Sequence, residues 1–490
     1  MKSVFYLVLI SFCCFFSYPN PYFCFPPFLF LLLGSLHVLA IEKRNYSKFV
    51  YIYASFGYAV VFYWIYYPCY KYGNIPFYLS WCFPILMGFY LSIYIWVYYI
   101  LIRLMRRYLS FLWLGIFAAG LWMSLEIIRE YFLSGFPWPD LALIFSPYPF
   151  FLQCLKFIGA KGFSFFVVLI TFFLINRKYV FVSFSIFMIL ILLNIFSLLS
   201  VPQTISKLKV RLVQGNIDQE HKWDKEYQEN TVHTYINLSL KNVYKNKKLD
   251  LVIWPETCMP FYFQERSKLS NIIRKFVRDN KVYLLFGSPG YKFISVKKYL
   301  LFNRAYLLND KGDIIGIYDK QKLVPFGEYL PFNFLYSVFR FFYTGVGDFS
   351  PGLLTDPLKM NNLALGVLIC YEAIFSHLVE DRVNKGSEIL INISNDAWFG
   401  DTSAPYQHLF LTTLRAIEQQ RYILRCTNSG ITAIISNKGV VLKKIDLFKK
   451  GYLDFIVYTI KEKSFFNKYF YYIYSFPFII LIIFFLKIFF

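Results

Sequence analysis

The chain has 490 residues, 57% hydrophobic and only 16% charged, against roughly 25% charged in ordinary globular proteins; this excludes a disordered chain and a wholly soluble one. A formal charge of +22 from 51 Lys and Arg against 29 Asp and Glu suits an anionic membrane surface. No basic block interleaved with stacking aromatics and no zinc-finger spacing accompanies it, so no nucleic-acid partner is expected.

In chain order, apolar stretches long enough to approach the thickness of a bilayer give about eight candidate transmembrane helices. They lie near 4–17, 21–41, 49–68, 77–102, 108–125, 162–175, 179–200 and 469–486. Lys2 followed by an apolar run has the texture of a signal peptide. Yet Tyr18-Pro19-Asn20-Pro21 offers no small-x-small cleavage site and a second apolar run follows at once, as expected of a helical hairpin. Lys43, Arg44 and Lys48, then Arg103, Arg106 and Arg107, then Arg177 and Lys178 fall in alternate short loops. The positive-inside rule places those loops and the N-terminus in the cytoplasm, and the segment after Ser200 outside the inner membrane after about seven spans.

From about residue 206 to 463 the texture changes to short β-rich runs between amphipathic stretches. Strands are expected at 210–217, 251–255, 282–287, 305–308, 363–369, 389–394 and 432–436, and helices at 225–245, 267–279 and 404–424. The organisation read from this is a membrane domain over 1–205, an α/β domain over 206–463 and a last transmembrane helix over 464–490.

Nine cysteines contain no Cys-x-x-Cys pair and five histidines are scattered singly, so neither a disulfide framework nor a metal site is indicated. Three segments of the α/β domain instead place reactive side chains where apolar strands end, the usual place for a site in such folds. In Leu251-Val252-Ile253-Trp254-Pro255-Glu256 a carboxylate leaves a buried strand behind a rigid Trp-Pro pair, as suits a general base; a solvated strand-end carboxylate would look the same. In Tyr318-Asp319-Lys320-Gln321-Lys322 a lysine is available to stabilise an oxyanion, with Glu328 nearby in sequence to orient it; Lys322 competes with Lys320 for the role. In Leu363-Ala364-Leu365-Gly366-Val367-Leu368-Ile369-Cys370-Tyr371-Glu372 a strongly apolar strand ends in a thiol, like a nucleophile elbow. A cationic neighbour there is expected to lower its pKa, whereas Cys258 and Cys426 read as buried hydrophobic cysteines.

With these three segments in order, the chain resembles the apolipoprotein N-acyltransferases, bacterial membrane members of the nitrilase superfamily. The resemblance implies a helical membrane bundle carrying a nitrilase-like αββα sandwich. It implies a Glu-Lys-Cys triad of Glu256, Lys320 and Cys370, with Trp223, Glu328, Tyr371 and Glu372 in substrate-binding or supporting places. Further similar runs are Ser394-Asn395-Asp396-Ala397-Trp398-Phe399-Gly400, Gln407-His408-Leu409, Thr427-Asn428-Ser429-Gly430, Gly135-Phe136-Pro137-Trp138 and the early Ser-Tyr-Pro turn.

The implied activity is a ping-pong transfer of an acyl chain. It would run from a phospholipid donor, through a thioester on the cysteine, to the α-amine of a diacylglyceryl-cysteine at a lipoprotein N-terminus. No metal or dissociable cofactor is required, and the protein is expected to act as a monomer in the inner membrane with its catalytic domain in the periplasm. The stretch 332–343, eight of whose residues are Phe, Tyr or Leu with only Arg340 charged, is expected to be an arm dipping into the outer leaflet. A membrane-tethered amidase or other hydrolase is the alternative the triad leaves open. A transporter with an accessory domain would instead place ionisable residues such as His37, Glu126, Arg129 and Glu130 along a pathway.

Overall fold

The computed structural model describes residues 2–219, 222–242, 248–295, 298–330, 349–353 and 356–489. The aromatic stretch 332–343 lies outside the described residues. Two compact units form: one comprises Met1–Val201, Thr402–Leu414 and Ser464–Phe490, the other Pro202–Asp401 and Arg415–Lys463.

The first unit is helical. Each apolar segment of the sequence is helical, but among the described residues only five helices are long and apolar enough to cross a membrane: Phe77–Met105, Phe111–Tyr131, Leu155–Leu174, Arg177–Leu199 and Phe470–Lys487. A sixth crossing requires the pair Ser47–Val61 and Tyr63–Lys71, bent by 61°. The expected count of about eight is therefore revised. The helices Ser3–Ser17 and Phe28–Ile41 are shorter, because Pro19, Pro21, Pro26 and Pro27 crowd the intervening turn and proline cannot continue a helix. Close packing depends on small residues, as is usual between helices in lipid: a methyl group on Gly88 would come 2.3 Å from the carbonyl oxygen of Ser55.

Polar groups inside this unit are paired with one another. Asp140 accepts from Arg129 Nη2 at 3.0 Å and from Lys161 Nζ at 2.6 Å. Lys161 lies 3.4 Å from Glu130, which also accepts from the Tyr474 hydroxyl. Glu126 accepts from Trp122 Nε1 and the Leu141 amide, both at 3.1 Å. His37 pairs with the Tyr98 hydroxyl at 2.8 Å. At one end of the bundle Arg103 donates to the carbonyls of Glu42 and Arg44, at 2.6 and 2.9 Å, and Arg106 to those of Ile41 and Glu42, so the first two basic loops lie together. Elsewhere in the unit Gln407 Oε1 accepts from Trp138 Nε1 at 2.8 Å and Trp64 Nε1 at 3.2 Å, and Gln407 Nε2 donates to the Pro19 carbonyl. Three motifs distant in sequence, the Ser-Tyr-Pro turn, Gly-Phe-Pro-Trp and Gln-His, thus meet on one side chain.

The second unit contains twelve strands among its described residues: β1 (Thr204–Gln214), β2 (Leu251–Ile253), β3 (Tyr283–Ser295), β4 (Lys298–Leu308), β5 (Ile314–Asp319), β6 (Leu358–Met360), β7 (Leu363–Ile369), β8 (Ile389–Ser394), β9 (Ile423–Thr427), β10 (Thr432–Ile435), β11 (Val441–Ile445) and β12 (Gly451–Ile460). They build two six-stranded sheets, ordered β12-β1-β2-β3-β4-β5 and β11-β10-β9-β8-β7-β6. β1, β2 and β3 run parallel, as do β7, β8 and β9.

Alternation along the strands explains the layers, since successive side chains face opposite sides of a sheet. Val210, Leu212, Leu251, Ile253 and Leu285 meet Val367, Ile369, Ile391, Ile393 and Leu424 between the sheets. The intervening Val213, Val252, Leu284 and Phe286 pack outward on Val232, Tyr235, Ile273 and Phe276 of helices Lys225–Leu240 and Lys268–Asn280. Helix Ser376–Asn384 packs on β7 of the other sheet. This is the expected αββα sandwich.

Candidate active site

The base candidate is presented by a tightly held strand end. Leu251, Val252, Ile253 and Trp254 are all buried, and Trp254 Nε1 donates to Ser239 Oγ at 2.9 Å. The chain then turns sharply, with Thr257 at φ 46°. β3 passes so close that a methyl on Gly287 would sit 2.8 Å from Glu256 Cα and 2.4 Å from the Thr257 nitrogen; glycine is required there. Glu256 Oε1 accepts from Asn303 Nδ2 at 2.7 Å and faces Lys320 Nζ at 3.5 Å, while Oε2 accepts from the Asn395 amide at 2.8 Å.

Lys320 follows β5 directly and is 1% exposed. Its ammonium lies 2.9 Å from Glu328 Oε2 and 3.5 Å from Glu256 Oε1. Asn303 Nδ2 bridges the two carboxylates, reaching Glu328 Oε1 at 2.9 Å, and the Val324 amide donates to Glu328 Oε2 at 2.9 Å. Burial alone would discharge the lysine. The Glu328 and Glu256 carboxylates outweigh it and, with the Cys370 thiol, raise its pKa, so the ammonium is retained. Of the two competing lysines it is Lys320 that meets the carboxylates, for the Lys322 ammonium lies 5.0 Å from the centre of the Phe375 ring.

Cys370 ends the buried strand β7 at φ 53°, a left-handed conformation that a non-glycine residue adopts only when its surroundings impose it. Glu372 supplies much of that constraint: Oε2 accepts from the Ile369 amide at 2.7 Å, and Oε1 from the Gln321 amide at 2.6 Å, the Lys322 amide at 3.2 Å and the Tyr318 hydroxyl at 2.8 Å. One carboxylate therefore staples the thiol's turn to the lysine's loop. Glu372 is fully buried. Tyr371 is buried with its ring edge-on to Phe375, centroids 4.9 Å apart.

The expected lowering of the thiol pKa is reversed. Burial pushes Cys370 up, and Glu256 adds to this; Lys320 and a hydrogen bond with the Ser394 side chain oppose it without prevailing. An ammonium already shared between two carboxylates is too weak an opponent for desolvation. Burial and the Glu256 carboxylate thus both favour the protonated thiol.

Several residues of the site were not singled out from sequence. Asn303 bridges Glu256 and Glu328. Asn392 Nδ2 donates to the Leu368 and Cys370 carbonyls at 3.1 and 3.3 Å, and Arg425 donates to Asn392 and lies 2.6 Å from Asp396 Oδ2. Their signal was a polar side chain inside an apolar strand, which must find a partner when buried. Conversely Trp223 is 50% exposed, and among the described residues it makes no hydrogen bond or ring contact with Glu256, Lys320 or Cys370. The neighbouring Lys222, by contrast, is buried.

The carbon-nitrogen hydrolase family matches residues 209–461, and the apolipoprotein N-acyltransferase N-terminal domain matches residues 7–173. An apolipoprotein N-acyltransferase of Geobacter metallireducens is 36% identical over 87% of this chain and 84% of its own length. Those of Aquifex aeolicus and Haemophilus ducreyi are 32% identical over 90% of this chain and 94% of their counterpart, and 28% identical over 91% and 89%, respectively. Similarity at this level along both units leads to one conclusion: the chain belongs to the apolipoprotein N-acyltransferase family.

Proposed function

We propose that this protein is a phospholipid-dependent apolipoprotein N-acyltransferase that works by a ping-pong mechanism on a Glu256-Lys320-Cys370 triad. The observation that supports the reading is the placement of the buried Lys320 ammonium 3.5 Å from the Glu256 carboxylate, with both groups acting on the Cys370 thiol at its left-handed turn. Such a thiol is inert until a base removes its proton. Glu256 accepts that proton as the sulfur attacks the ester carbonyl of the phospholipid. Lys320 stabilises the oxyanion, the C–O bond breaks, and Glu256 returns the proton to the departing lysophospholipid oxygen. Glu256 then takes a proton from the incoming α-amine, the nitrogen attacks the thioester, the C–S bond breaks and the sulfur is reprotonated. Glu328, through Lys320, and Glu372, through the elbow, hold these groups in register; Tyr371 supports the same turn, and Trp223, exposed at the surface, is assigned to substrate binding.

The acceptor is the free amine of an S-diacylglyceryl-cysteine at a lipoprotein N-terminus. The protein would function as a monomer in the inner membrane with the sheet unit in the periplasm. The two basic loops held together by Arg103 and Arg106 support this orientation, because cytoplasmic loops carry the positive excess. The test is incubation of the detergent-purified protein with a defined phospholipid and a diacylglyceryl-cysteinyl peptide. An amide-linked acyl group on the peptide, absent with Cys370→Ala, is the expected product. Release of free fatty acid with an unmodified peptide would favour a hydrolase.

A further inference from the structure

Two sequence motifs that the mechanism above leaves unused, Ser394-Asn395-Asp396 and Thr427-Asn428-Ser429-Gly430, meet around one buried guanidinium. Arg425 is fully buried in the middle of β9, where a charge persists only if it is paired and hydrogen-bonded. Its Nη2 lies 2.6 Å from Asp396 Oδ2, and its Nη1 donates to Asn392 Oδ1. Asn392 stands opposite Arg425 in the β8–β9 pairing and opposite Leu368 in the β7–β8 pairing. Its Nδ2 donates to the carbonyls of Leu368 and Cys370 at 3.1 and 3.3 Å, so one arm of the guanidinium reaches the turn that carries the thiol. The other arm ends on Asp396, which also accepts from Ser394 Oγ at 2.8 Å. Between those two residues the Asn395 amide donates to Glu256 Oε2 at 2.8 Å. The Asn395 side chain is held as well, by Gln219 at 2.7 Å and Asn428 at 3.3 Å. A methyl on Gly430 would come 2.4 Å from Asp396 Oδ2, so glycine there leaves room for the carboxylate.

From this arrangement we infer that Arg425 is a positioning residue that fixes the Cys370 thiol and the Glu256 carboxylate relative to each other. The inference rests on the proposed role of Glu256. Cys370 follows β7 and Glu256 follows β2, and these strands belong to different sheets, so no strand pairing sets the separation of thiol and base. Proton transfer between them demands a closely held geometry. The guanidinium supplies a rigid fork that donates in fixed directions. One prong acts through Asn392 on the Cys370 carbonyl; the other acts through Asp396 on the segment whose amide holds Glu256. A lysine at this place would keep a charge opposite Asp396 but, as a point donor on a flexible stem, would lose the fork.

The test is a double-mutant cycle on acyl transfer from a radiolabelled phospholipid to a diacylglyceryl-cysteinyl peptide, with kcat and KM measured for the wild type, Arg425→Lys, Glu256→Gln and the double variant. Arg425→Lys alone is expected to lower kcat by about 10–100-fold with KM nearly unchanged. In the Glu256→Gln background no base remains to be positioned, and the same change is expected to cost less than about twofold. A residue that merely holds the fold would cost the same factor in both backgrounds; that result, or a loss confined to KM, overturns the inference while the triad stands. Thermal melting in detergent accompanies each variant. Should Arg425→Lys melt far below the wild type, Asn392→Ala carries the same cycle, because it removes the arm to the Cys370 carbonyl and leaves the Arg425–Asp396 pair in place. Undiminished transfer by Glu256→Gln overturns the proposed base, and the role of Arg425 falls with it.

Discussion

Two buried clusters of charge invite comparison. In the helical unit Asp140 sits between Arg129 and Lys161, and Lys161 is shared with Glu130. In the sheet unit Lys320 sits between Glu328 and Glu256. The first centres an anion between two cations and the second a cation between two anions, both with side chains almost wholly out of water. What differs is what stands next to them. The helical cluster is surrounded by indole, phenol and amide donors that fix it, as with Trp122 and Tyr474. The sheet cluster acts on a thiol held on a left-handed turn. The same physics of buried ion pairs serves cohesion in one case and, in the proposed mechanism, proton transfer in the other.

Substitutions sharpen or break that contrast. Cys370→Ala is expected to abolish transfer, because Cys370 is the thiol on which both Glu256 and Lys320 act; radiolabelled lipid turnover checks it. Glu256→Gln is expected to slow transfer by about 10²–10⁴-fold, the usual contribution of a general base. The same change removes a carboxylate that opposes ionisation of Cys370, so alkylation of that thiol by iodoacetamide is expected to become faster. Two rates moving in opposite directions would be hard to obtain from a merely disrupted site; parallel losses would count against the base. In the helical unit, Asp140→Asn leaves Arg129 and Lys161 without their common anion and is expected to destabilise the protein by about 3–5 kcal/mol, read as an earlier melting transition. An unchanged transition would mean that this cluster does not hold the bundle.

The smallest effect concerns Lys222. Burial holds its pKa at about 8 against an ordinary 10.5. Below pH 8 both folded and unfolded chains carry the proton, and the full penalty of the buried charge is felt. Between pH 8 and 10.5 the folded protein sheds the proton first, so the penalty fades as pH rises. Lys222→Met is therefore expected to melt slightly above the wild type at pH 7, with the gap closing towards pH 10.5. A gap that widens with pH would contradict the burial of an unpaired charge.

Much of the candidate site was legible because strand ends advertise themselves: Trp254-Pro255-Glu256 and Ile369-Cys370 each mark a change from an apolar run to a polar or thiol side chain. Choosing Lys320 over Lys322, or weighing desolvation of Cys370 against one lysine, required knowing what surrounds each group. Lys222 was invisible as a problem, since a lysine beside an exposed Trp223 gives no hint of burial. The expected helix over 404–424 ends at Gln419, and the residues beyond form β9, in which Ile423, Leu424 and Cys426 pack as a strand around the buried Arg425. β6 alternates but is only three residues long, too short for a period to register, and the exposed β11 lacks the alternation that a half-buried sheet imposes. In the helical unit hydropathy located the long apolar helices but not the short Leu141–Phe145, and length and breakage at Phe62 and the early prolines decided which can cross a bilayer.

The central claim is that Cys370 carries the acyl chain, and intact mass spectrometry of the purified protein tests it most directly. Incubated with a defined phospholipid and no acceptor, the wild type is predicted to gain the mass of one acyl chain. The adduct should be removable by hydroxylamine, map to Cys370 and be absent from Cys370→Ala. An adduct that persists in that variant, or turnover to product without any thioester on Cys370, would contradict it.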